Sequence, residues 1–213
     1  MAIGLTGEGS LISELLMLIN SIKLGSVDVA WILALLWVIQ IFNSLVGGAL
    51  CVLGIIPRNP LAMFGIFFSP FLHASFSHLF FNSVPLFLLL TFMLTFGVHV
   101  AVCASLMITF FSGLATWIFG RKAIHVGASG IIMGYMGFIL YSGYYGNNIS
   151  AILVAIVSFY YLGSILFSLI PTDASTSWEA HVFGFLAGIF SAHYGCLPLF
   201  ELMTYYLLNV EIT

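Results

Sequence analysis

Charge is what this sequence has least of. Its 213 residues include four Lys or Arg and seven Asp or Glu, 5% of the chain, where a soluble domain carries about a quarter. So few charges cannot cover a water-facing sphere, and a soluble enzyme is excluded. Four scattered cations cannot build the basic patch that a phosphate backbone needs, so there is no nucleic acid among the expected partners. Cysteine is scarce as well. Cys51, Cys103 and Cys196 sit in apolar surroundings at no ligand spacing, and are expected to be buried packing residues that say nothing of redox compartment. No basic stretch precedes a short apolar core at the start, so a removable signal peptide is not expected. What the chain has in plenty is apolar: 62% of its residues are hydrophobic and its mean hydropathy is +1.20. It reads as an all-α integral membrane protein in a lipid bilayer.

The few charges divide the chain. Between them lie charge-free stretches at 29–57, 59–120, 123–172 and 180–200. A helical span needs about 20 apolar residues, so the outer stretches hold one each. The middle two hold two each, broken at Phe96-Gly97-Val98-His99 and at Gly143-Tyr144-Tyr145-Gly146-Asn147-Asn148. The expectation is six helices, near 29–50, 74–96, 98–119, 128–144, 149–170 and 179–199, with both termini on one side. Ahead of them, Leu11, Leu15, Leu18 and Ile22 form a stripe with Glu14 and Lys23 off it. That pattern suits a helix over 10–24 that lies in the interface or packs on the bundle. The segment 51–72 is apolar but broken by Pro57, Pro60 and Pro70, so it is expected as a half-buried loop beside the bundle. The chain thus divides into an N-terminal segment 1–28, a core 29–200 and a short tail 201–213. Arg58, Arg121 and Lys122 fall on one side and Lys23 on the other, too few to fix orientation.

Ionisable and polar residues at membrane depth are costly, and they mark function by default. They are few here. His73, His78 and Asn82 open the second helix, Ser129 opens the fourth in Gly127-Ala128-Ser129-Gly130, and His181 opens the sixth. His78 and Asn82 are four apart and so share one helix face. His181, Gly184 and Gly188 share another, and Gly130, Gly134 and Gly137 make a smooth stripe on the fourth helix. Small residues let two helix backbones approach closely in lipid. The fourth and sixth helices are therefore expected to pack tightly and to bring Ser129 beside His181, the minimum apparatus of an activated nucleophile. The fourth helix is also short, about 25 Å against a hydrocarbon core of about 30 Å, which would leave Ser129 below the surface.

In this order and spacing the residues resemble the rhomboid family of intramembrane serine proteases. The likeness rests on His73-x4-His78-x3-Asn82, on Gly127-x-Ser129-Gly130 and on Ala180-His181-x2-Gly184-x3-Gly188, and it covers about residues 30–200. The stretches Gly54-Ile-Ile-Pro57-Arg58 and Ser69-Pro70-Phe71-Leu72-His73 resemble a common prokaryotic branch of it. The resemblance implies a six-transmembrane-helix rhomboid-like bundle with a membrane-embedded first loop. It implies Ser129 as nucleophile and His181 as general base, with His78, Asn82 and the Ser129 N–H forming an oxyanion hole. His73, Gly127, Gly130, Met133, Gly184 and Gly188 would support them. No cofactor and no metal are implied, and the partners would be transmembrane protein substrates. The place would be a prokaryotic plasma membrane, with cytoplasmic termini and an active site opening outward. Two positions depart from the pattern. Met133 stands where many members have a tyrosine packed on the catalytic histidine, and Phe64-Gly65 where many have a Trp-Arg pair.

Other readings have discriminating features. A membrane metalloenzyme would need paired ligand spacing such as His-Glu-x-x-His, which the sequence lacks. A transporter would show inverted repeats and intramembrane carboxylates, and neither is evident. A catalytically inactive relative that binds membrane clients would typically lose the serine or the histidine, and both remain. His73 reads as a structural hydrogen-bonder, and His125 as a loop-ordering or surface residue with no assigned role. His99 and His193 are expected at the interface, Arg121 and Lys122 in a surface loop, and Asp173 in solvent. Glu179, two residues from His181, is expected to face elsewhere.

Overall fold

In lipid the backbone has to satisfy its own hydrogen bonds, so long apolar runs become helices. The computed structural model describes residues 6–146, 149–170 and 177–196. Expectations that fall on Asn147, Asn148, Asp173 or the tail 201–213 lie outside the described residues. Within them the architecture is helical: α1 (Thr6–Leu45), α2 (Phe76–Leu94), α3 (Val98–Phe119), α4 (Ser129–Tyr145), α5 (Ile149–Leu162) and α6 (Trp178–Phe190). A 3₁₀ stretch, Gly163–Leu169, extends α5, and a π turn, Ser191–Gly195, extends α6.

Four of these stretches are long and apolar enough to cross a membrane: Ile12–Leu45, Phe76–Leu94, Val98–Phe119 and Ile149–Phe167. With 17 and 13 residues, α4 and α6 are shorter. The stretch expected as an interfacial helix over 10–24 is continuous with the first span. Nothing between Leu24 and Ala30 stops the helix: there is no proline, and the Ser26 hydroxyl folds back onto the Lys23 carbonyl at 2.8 Å. At 40 residues α1 is about 60 Å long, twice the hydrocarbon thickness.

The proline-broken segment is the expected loop, built of short turns at Ala49–Leu53, Pro60–Ala62, Gly65–Phe68 and Ser69–Phe71. It lies along α3. Gly113 leaves room there for Ile66, whose Cγ2 would be 2.7 Å from a Cβ at position 113. Arg58 fixes the loop's far end. Its guanidinium donates to the carbonyls of Ile118 and Gly120 at 3.0 and 2.9 Å, and its N–H to that of Trp117 at 2.9 Å. One cation so satisfies carbonyls that the end of α3 leaves without helical partners, at the negative end of its dipole.

The glycine stripes meet as expected. α4 and α6 run parallel, with Gly130 opposite Gly184 and Gly134 opposite Gly188. A Cβ on either residue of α6 would strike the carbonyl oxygen facing it. The expectation for two of the cysteines fails. Cys103 near the start of α3 and Cys196 beyond α6 form a disulfide, with Cα atoms 5.7 Å apart. They are not separate packing residues; a separation of 93 residues hides a pairing that the helix packing creates.

Candidate active site

The site is assembled where α2, α4 and α6 begin. Ser75 caps α2, its hydroxyl accepting the His78 N–H at 3.1 Å. From there His78 and Asn82, one turn apart, face the loop that leads into α4. Gly127 in that loop has φ 121°. A Cβ on it would lie 2.7 and 2.8 Å from the His78 ring and 3.5 Å from Asn82 Nδ2. Both the backbone conformation and the lack of space demand glycine here.

The loop is also held from its other flank. The Gly127 N–H donates to the Ser69 carbonyl at 2.9 Å, and the Ala128 N–H to His73 Nε2 at 3.4 Å. The His73 carbonyl is in turn bonded by Asn43 Nδ2 of α1 at 3.2 Å, so α1 reaches the site through one residue. The fully buried His73 ring packs edge-on to His78, with centroids 5.1 Å apart. Burial, and secondarily the neighbouring His78, push its pKa down to about 4, against a smaller opposing influence from the Phe71 backbone. A neutral ring suits its bond, because Nε2 must be unprotonated to accept the Ala128 N–H.

Ser129 is the first residue of α4. The N–H groups of a helix's first turn lack intrahelical partners and carry the positive end of its dipole. His181 lies in the first turn of α6 and is mostly buried. Ser129, His181, His78, Asn82 and Met133 all line one cavity of about 520 Å³. Five of the residues singled out in the sequence, from three helices, are thus brought to one hollow. The others stand around it: Gly127 against His78, His73 behind the loop, Gly130 and Gly184 at one close crossing, and Gly188 one turn below, where it meets Gly134 more closely still. Behind Ser129 a second hollow of about 30 Å³ is lined in part by Ser112, Thr116 and Ser69. That is room for about one water, with polar groups to bind it.

His125, to which the sequence assigns no role, is buried, on the wall of the larger cavity, and bonded on both ring nitrogens. Glu179 faces away from the hollow as expected, but it is buried too, with its carboxylate on Arg121. No local motif marks either residue, since Ser177 lies 52 positions from His125 and Arg121 lies 58 from Glu179. His193 is exposed and bonds the Tyr141 hydroxyl.

Uncharacterized proteins of Mycobacterium bovis and Mycobacterium tuberculosis are each 32% identical over 179 residues, which cover 79% of this chain and 74% of theirs. One from Mycobacterium leprae is 29% identical over 178 residues, 79% of this chain and 70% of its own. Residues 60–198, the stretch that carries every element of the hollow, match the rhomboid domain, and the chain belongs to the rhomboid family.

Proposed function

We propose that this chain is an intramembrane serine endopeptidase that cleaves transmembrane segments of other membrane proteins through a Ser129–His181 dyad. The observation that carries the reading is the single cavity onto which Ser129, His181, His78 and Asn82 all open. In this reading His181 takes the Ser129 proton as Oγ attacks the scissile carbonyl carbon. The C=O pair moves onto oxygen, and the oxyanion is met by His78, Asn82 and the Ser129 N–H. Fixed donors aimed at developing charge act strongly in a site of low dielectric. His181 then protonates the leaving amine, and water attacks the acyl-enzyme with His181 again as base. The small hollow behind Ser129, with hydroxyl groups in its wall and room for about one water, is suited to hold that water. A substrate helix must first unwind, because its carbonyls are otherwise sealed in hydrogen bonds.

The rest of the reading follows from the same assignment. α4 and α6 count as spans, giving six with the four longer helices, and the catalytic core is 29–200, between an N-terminal segment 1–28 and a tail 201–213. The bundle sits in a bacterial plasma membrane, with its termini cytoplasmic and the Ser129 end outward. Gly127, Gly130, Gly184 and Gly188 serve by close approach, His73 by holding Ala128, and Met133 by packing in the cavity. The test is cleavage of a single-span substrate by the purified protein beside its Ser129→Ala and His181→Ala variants, read by mass spectrometry. Cleavage in or next to the span, lost in both variants, is expected. Cleavage that survives in Ser129→Ala removes Ser129 as nucleophile. Failure to cleave several substrates, with Ser129 also unlabelled by a serine-reactive phosphonate, would leave a client-binding protein without catalysis.

A further inference from the structure

We propose that His125 is a positioning residue for the Ser129–His181 pair, closing with Ser177, Arg121 and Glu179 a ring of polar contacts that ties the Ser129 loop to the start of α6. The inference rests on the dyad reading and adds what sets the dyad's geometry.

His125 Nδ1 bonds the Ser177 hydroxyl, and its Nε2 bonds the Arg121 carbonyl at 3.1 Å. The Arg121 N–H donates to Glu179 Oε1 at 3.3 Å, and Arg121 Nε lies 3.5 Å from the same oxygen. Ser177 and Glu179 are two residues apart at the head of α6, so the contacts close on themselves. The carbonyl of Arg121 can only accept, so Nε2 carries the proton. In the neutral ring Nδ1 then accepts from the Ser177 hydroxyl. The imidazole is thereby fixed in one tautomer and one orientation.

The His125 backbone is fixed as well. It exchanges two hydrogen bonds with Ile55 of the first loop, at 2.9 and 3.0 Å. His125 therefore joins three elements, the first loop, the end of α3 and the start of α6, four residues before the proposed nucleophile. Ser177 lies four residues before the proposed base, and its carbonyl accepts the His181 N–H at 3.3 Å. The glycine crossing sets how closely α4 and α6 approach. The ring sets where the chain enters each helix, and hence where Ser129 and His181 stand on the wall of the cavity that His125 and Ser177 also line. The Arg121–Glu179 ion pair, with its arginine partly exposed and its carboxylate buried, adds little net stability by itself because desolvation and screening offset the attraction. Its value here is registration, since a 1 Å displacement of reacting groups can cost about 10²-fold in rate.

The test compares Ser177→Ala, Ser177→Thr, His125→Ala and the double variant Ser177→Ala/His125→Ala, in the full chain. The readouts are kcat and KM on a single-span substrate, the rate at which a fluorophosphonate labels Ser129, and the thermal midpoint. Ser177→Ala should lower kcat and the labelling rate by about tenfold with KM within about twofold, and Ser177→Thr, which keeps the hydroxyl, should restore most of both. The double variant should lose no more than His125→Ala alone, because both remove one interaction. Rates unchanged in Ser177→Ala, or falling only in step with the folded fraction, would overturn the inference while leaving the dyad intact. If His125→Ala does not fold, the Ser177 pair decides. Wild type that neither cleaves nor labels at Ser129 would remove the dyad reading and this inference with it.

Discussion

Gly184 of α6 lies so close to Gly130 of α4 that a single methyl group on it would collide with the Gly130 carbonyl oxygen. Ser129 precedes one of these glycines and His181 lies three residues before the other, so the contact that permits the crossing also sets the separation of the candidate nucleophile and base. Backbone carbonyls cannot rotate away as a side chain can. Gly184→Ala should therefore push the helices apart at a cost of about 1–3 kcal/mol, with cleavage falling further than stability. Unfolding in detergent measures the first and turnover the second. An unchanged midpoint would mean that α4 and α6 are not in this register.

Asn82 is buried on the face of α2 that looks into the cavity, close to the Gly127 backbone. If it donates to the oxyanion, Asn82→Ala removes a contact made chiefly in the transition state. The expected loss is on the order of 10²–10³ in kcat, with KM little changed. A rise in KM alone would make it a substrate-binding group, and an unaltered rate would take it out of the oxyanion hole.

His73 gives the fold a pH dependence of known sign. Its pKa is lowered to about 4 from 6.5. Between those values the unfolded chain binds a proton that the folded chain does not, so stability falls as pH drops from about 6.5 towards 4 and is complete above that window. The slope approaches about 1.4 kcal/mol per pH unit for one such group. Denaturation at pH 7.5 and pH 5 should show the loss in wild type and less of it in His73→Asn. Equal losses in both would place the titration elsewhere.

The features legible in the sequence are those that one helix encodes by itself. His78 and Asn82 four apart, and two glycine pairs also four apart, declare a shared face before any partner is known. The proline-broken loop was readable for the same local reason. What stayed hidden depends on packing between distant segments. His125 is a lone histidine until Ser177 and Ile55 arrive beside it, and Glu179 looks idle until the end of α3 brings Arg121. The continuity of α1 is not legible in the sequence because a polar stretch around Asp28 reads as a boundary, although nothing there breaks a helix.

The Cys103–Cys196 disulfide is such a hidden contact, and it separates fold from chemistry. It ties α3 to the chain just past α6, 15 residues beyond His181 and so about 22 Å down the helix from the cavity. A link spanning 93 residues should stabilise the bundle by about 2–4 kcal/mol. Alkylation before reduction should accordingly modify Cys51 alone, the one free cysteine, and modify all three only after reduction. Reductant, or Cys103→Ser, should lower the unfolding midpoint while leaving turnover of the folded protein near its original value. Turnover that collapses with the disulfide would show that the far ends of α3 and α6 transmit strain to Ser129 and His181. Three alkylated cysteines without reduction would show that the pair is not bonded, and that the end of α6 is held to α3 by packing alone.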